Sequence, residues 1–140
     1  MSTCLEFSAI VETEKPQIED LLKVAERYPD PAAMDAREAF SKQVRAVEGL
    51  ITNTYRVAVA FARKANDPHE ESETWRCMGG LCNMAIQILS TLKEKYPYCG
   101  TPQLYDLVLD YKIACDKRRN ETEEEIACKT LPTPTGLFPE

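Results

Sequence analysis

The sequence predicts an all-α protein: an antiparallel up-down four-helix bundle with a proline-rich C-terminal tail. Three observations lead there. Apolar residues recur at steps of three and four along four separate stretches. The pairs Asp30-Pro31, Asp67-Pro68 and Thr101-Pro102 stand where helices would begin, each joining an N-cap residue to a proline suited to the first helical position. Short connections between long amphipathic stretches favour antiparallel neighbours. On this reading residues 1–130 form one helical domain and residues 131–140 an extended tail. A dimer of helical hairpins satisfies the same pattern.

The first stretch is the least regular. Thr3 with Glu6 fits a capping box opening a helix through Val11, while the alternation of Leu5, Phe7, Ala9 and Val11 also fits a short strand. A new helix is then expected at Pro16, capped by Thr13, with Ile18, Leu21, Leu22 and Ala25 as its apolar stripe and Tyr28-Pro29-Asp30 as its end. The second helix follows from Asp30 and Pro31. Its stripe runs Ala33, Phe40, Val44, Val47, Ile51, Tyr55, Ala58 and Ala62, with Arg37 as an exception, over about 50 Å.

Asp67 with Glu70 makes a second capping box, opening a third stripe of Trp75, Met78, Cys82, Ala85, Leu89, Leu92 and Tyr96. After the turn Tyr96-Pro97-Tyr98-Cys99-Gly100, the fourth stripe is Leu104, Val108, Tyr111 and Cys115. The fourth helix either ends near Arg119 or continues through Ile126, with Asn120 and Glu123 able to cap a separate final helix. The tail contains Pro132, Pro134 and Pro139 and is expected to be extended.

Composition narrows the function. The chain has 140 residues, 44% of them apolar and 29% charged, enough to build a core without disulfides or metals. A net charge of -6 argues against a phosphate backbone as partner. The basic run Lys117-Arg118-Arg119 is followed by Glu121, Glu123, Glu124 and Glu125, and reads as a solvated, internally paired helix face. Met1–Val11 has no basic start, so no signal peptide is expected, and no apolar run reaches membrane-span length. The six cysteines lie mostly inside helical patterns and are read as reduced thiols of a cytoplasmic protein.

Catalytic patterns are thin. His69 is the only histidine, which excludes a His-rich metal site, and no cofactor or metal is expected. Gly79-Gly80 lies in a helical pattern without the lysine of a phosphate loop. Helices joined by a short turn hold residues level when they lie equally far from it. This places Cys82 level with Cys115 and, if the fourth helix continues, His69 level with Cys128. Each level offers two ligands where zinc wants four. The thiols are read first as small buried hydrophobes, with Cys99 the exposed one.

The same construction sets Gly79 and Gly80 opposite Asn53 and Thr54, near Asn83. Two glycines inside a helix imply close packing, a kink, or a small polar pocket lined by Asn53, Thr54, Gly79, Gly80 and Asn83, with Arg56 and Trp75 as further candidates. Leu131, Leu137 and Phe138 in the tail either fold back or serve as a docking motif.

The spacing of Arg63 and His69 resembles that of the arginine and histidine in the HEPN ribonuclease family. The likeness covers seven residues, and Lys64 stands where that family carries a polar residue. It implies that Arg63 and His69 would meet in a cleft across a dimer interface.

The favoured function is a non-enzymatic helical bundle acting through a protein partner or as a homodimer, without nucleic acid or membrane. The alternatives are a small-molecule binder or enzyme at Gly79-Gly80, and a HEPN-like ribonuclease.

Overall fold

The apolar stripes fold into four helices: α1 (Thr3–Arg27), α2 (Met34–Lys64), α3 (Pro68–Lys95) and α4 (Pro102–Thr130). The computed structural model describes residues 3–27, 34–96 and 101–130, and among these there is no strand. The expected tail at 131–140, the turn with Cys99 and the Asp30-Pro31 cap lie outside the described residues.

The N-terminal stretch is one helix rather than a strand or two helices. Pro16 lies inside α1, although it removes one backbone donor. The helix runs through it because Phe7, Val11, Ile18, Leu21 and Ala25 form a single buried stripe on both sides of the proline. Breaking the helix at Pro16 would take half of that stripe off the core.

The α3 start matches its predicted cap. Asp67 has an extended backbone, and its carboxylate accepts from the Glu70 N–H at 3.0 Å, with Pro68 in the first turn. Glu70 reaches back to the N–H of Asn66 at 3.1 Å, one residue earlier than a standard capping box requires. At the other end α4 continues unbroken past Arg119 and Asn120, and the buried Thr122 explains why: its turn is still packed against α3.

α3 is the hub. It packs against α1, α2 and α4, whereas α2 meets α4 only lightly and α1 and α4 do not touch among the described residues. Its buried face is accordingly wide. Beyond the predicted Trp75, Met78, Cys82, Ala85, Leu89 and Leu92, it buries Thr74, Leu81 and Ile88. α1 and α2 run in opposite directions, since Phe7 packs on Phe61 at 5.7 Å and Gln43 donates to the Gln17 carbonyl at 2.9 Å. α3 and α4 also run oppositely, with Glu71 beside Thr122 and Gly79 beside Cys115.

One polar pair interrupts the α1–α2 seam. Glu14 occupies a stripe position between Val11 and Ile18 and meets the buried Thr54 hydroxyl. Thr54 also donates to the Leu50 carbonyl at 2.6 Å. A hydroxyl has one proton. When that proton serves Leu50, the contact with Glu14 is satisfied by a proton on the carboxyl. Burial pushes the Glu14 carboxyl above its ordinary value, and the Thr54 hydroxyl offsets part of that rise.

The sign of the pH effect follows. A carboxyl raised in the folded state is most stabilising when protonated, so its contribution is full below its unfolded value and falls as pH rises through its folded value. Glu14→Gln supplies a neutral donor at every pH. It should raise Tm at pH 7 by about 1–2 °C, a small gain because the carboxyl is partly solvated. The gain should vanish at pH 4, as thermal melts of both proteins across that range would show.

Candidate interaction surface

The five residues expected to line a pocket turn to different neighbours. Thr54 is buried against Glu14, while Asn53, Gly80 and Asn83 are exposed. Gly79 is buried, but it faces α4: an added Cβ would lie 3.8 Å from Cys115 Cβ and from an Asp116 oxygen, and 4.0 Å from Lys112 Nζ. These are ordinary contact distances. Equal distance from a turn fixes a residue's height on its helix, not the direction it faces, and Gly79 lies on the α4 side of α3. The geometry therefore does not bring the five into one pocket.

The thiols behave differently. Cys82 and Cys115 are both buried, on facing stripes and at the expected level. The adjoining Cys82 side chain and then burial push the Cys115 thiol well above the ordinary thiol range, so it stays protonated and a poor nucleophile at neutral pH. Cys128 is exposed, as is His69. Among the described residues, no group of three or more His, Cys, Asp or Glu side chains could hold a metal ion. Arg63 closes α2 and His69 opens α3, and both are exposed.

An aromatic seam fills the space between α2, α3 and α4. Tyr55 stacks on Tyr111 at 4.5 Å and lies 5.9 Å from the buried Trp75, which the Arg118 guanidinium covers at 5.0 Å. Trp75 Nε1 points to a Glu71 oxygen at 3.4 Å, and the Thr122 hydroxyl lies 3.3 Å from the same oxygen. The basic run on α4 is thus partly structural, with Arg118 on the indole and Arg119 paired to Glu123 at 3.0 Å.

Charge is distributed unevenly over the surface. α2 carries six basic against three acidic residues in a chain of net charge -6. On other helices Lys15, Lys23, Arg76, Lys112 and Arg119 form ion pairs along their own helix. Lys42, Arg45, Arg56 and Arg63 of α2 are exposed and make no ion pair with any described residue. Their spacings of three, eleven and seven residues, each close to a whole number of turns, put them on one helix face. Exposed small residues, Gly49, Asn53 and Ala60, lie among them. At the N-terminal end of this face an open hollow of about 430 Å³ is lined by Arg37, Glu38, Ser41, Lys42 and Arg45. Sequence reading missed the face because it weighed total charge and dense basic runs, whereas this stripe emerges only once the exposed side of α2 is known.

No protein-family model matches the chain, and neither the curated proteins nor the solved structures give a match. Among the described residues, no helix is long and apolar enough to cross a membrane.

Two outcomes follow for the glycines and thiols. Gly80→Ala and Gly79→Ala should each stabilise the fold by up to about 1 kcal/mol in urea unfolding, since both sites have room for a methyl group. In the native protein a thiol-specific reagent should modify Cys128 quickly, and Cys82 and Cys115 only on unfolding.

Proposed function

We propose that this chain is an up-down helical bundle that works by binding rather than by catalysis, docking an acidic segment of a protein on the exposed face of α2. One observation carries the reading: Lys42, Arg45, Arg56 and Arg63 make no ion pair with a described residue, in a protein with an excess of carboxylates. Surface cations on a helix are readily neutralised by neighbours four residues away, and the other helices use that arrangement. Leaving a line of them open favours an external anion.

A protein partner fits better than a polynucleotide. The cations line a single helix, spaced by small residues, with no exposed aromatic ring among them to stack on bases. The overall negative charge also opposes a long polyanion. A helix whose carboxylates repeat at three- and four-residue steps matches the stripe instead. The free thiols fit a reducing cytoplasmic setting.

The test uses a labelled synthetic peptide, helical and rich in glutamate, with anisotropy as the readout. It should bind at low salt and weaken steeply as salt rises. Arg45→Glu combined with Arg56→Glu should lower its affinity by about tenfold or more, while Lys93→Glu on α3 leaves it unchanged. Equal binding by all variants, or Arg63- and His69-dependent cleavage of an RNA oligonucleotide, would count against the proposal.

A further inference from the structure

The α2 face has a counterpart on the same chain. The outer face of α4 carries Asp106, Asp110, Ile113, Lys117, Glu121 and Glu124, again at steps of three and four residues. All six are exposed, and none of the four carboxylates has an ion pair with a described residue. Ile113 is 58% exposed, a large apolar side chain held in solvent midway between two acidic pairs.

The spacing of the two faces agrees. Arg45 and Arg56 are as far apart along α2 as Asp110 and Glu121 are along α4, about 17 Å in each case. With the helices side by side and parallel, Lys42 meets Asp106, Arg45 meets Asp110 and Arg56 meets Glu121. To within one residue, the same register sets Ile113 on Gly49, where nothing lies within 4 Å of an added Cβ. Ala60 falls opposite Glu124 and leaves that carboxylate free to reach Arg63. Lys117, the one cation of the α4 face, falls opposite the uncharged Asn53.

On the proposed reading of the α2 face, we infer that its occupant is α4 of a second copy of this chain, seated in parallel with Ile113 over Gly49. The arrangement closes on itself. A two-fold axis along the bundle brings α2 of each copy onto α4 of the other, so both contacts form at once. It also covers the half-buried Tyr55 and Tyr111, which line the seam where α2 and α4 barely meet. Another acidic helix would satisfy the cations. The second copy in addition supplies an apolar side chain at the one level where α2 has a glycine.

The experiment is the solution mass of the full-length reduced protein, by light scattering and sedimentation, at low and high salt. Wild type should have twice the 15.8 kDa chain mass at low salt and dissociate as salt rises. Arg45→Glu with Arg56→Glu should be monomeric, and so should Asp110→Arg with Glu121→Arg. Mixing these two variants should restore a dimer, because every reversed face then meets its opposite. Gly49→Leu separates docking from folding: it should melt at a higher temperature than wild type yet dimerise about tenfold more weakly.

A wild type that stays monomeric at low salt overturns the second copy as occupant. The acidic-peptide assay still decides whether the α2 face binds a segment from elsewhere, so the two readings fail separately. Dimerisation that survives either charge reversal, or that Gly49→Leu leaves unchanged, overturns the α2–α4 register.

Discussion

The fold depends on the burial of α3. Trp75, Met78, Leu81, Cys82, Ala85, Leu89 and Leu92 are all nearly or fully inaccessible, and they face three different helices. Burying a large apolar side chain contributes about 1.5–3 kcal/mol relative to exposure. No other helix has so broad an apolar face. α1 and α4 have no contact with one another among the described residues, so their relative placement is transmitted through α3. A change in the phase of its stripe would move every neighbour at once.

Against that apolar background the polar exceptions are specific. Glu14 interrupts the α1 stripe and is answered by Thr54 of α2, while Glu71 and Thr122 meet beside the Trp75 indole. Both threonines also bond the carbonyl one turn earlier, at Leu50 and Arg118. Each hydroxyl divides its one proton between that local carbonyl and a carboxyl oxygen of the partner helix. The pairs fix register: a slip of one turn along either seam would leave a buried hydroxyl or carboxyl without its mate, a cost of about 1–3 kcal/mol.

These features explain what was legible in the sequence. Stripes show from local chemistry alone, and so does the α3 cap, where Asp67, Glu70 and Pro68 behave as their types require, whereas Thr13, expected to cap a helix at Pro16, lies inside α1. Height along a hairpin is legible too, which is why Cys82 and Cys115 are rightly set level. The direction a residue faces around its helix is not, because it depends on which neighbour lies there. Gly79 therefore faces α4 rather than Asn53, and the five-residue pocket does not assemble. Pro16 misled for a related reason: a local breaking signal loses to a stripe that is buried on both sides of it, and at Asn120 the same effect decides between the two alternatives in favour of continuation. The α2 face escaped notice because a net charge averages over surfaces that face opposite ways.

That averaging bears on how an acidic protein can offer a cationic surface. At physiological ionic strength charges farther apart than about 8 Å are largely screened from one another. On the proposed reading, a partner seated on α2 would interact with Lys42, Arg45, Arg56 and Arg63, and little with carboxylates on the far side of α1 or α3. Local complementarity would then outweigh the net charge of -6 at contact, while the net charge would still slow the approach of a second acidic body. Salt would screen the long-range repulsion and the contact pairs alike, and because the pairs are the attraction that holds the copies, pairing would weaken as salt rises. Ile113 is insensitive to that screening, since burying a butyl side chain on Gly49 does not depend on ionic strength in this range. It is the element that would set the register while the charges hold the two copies together.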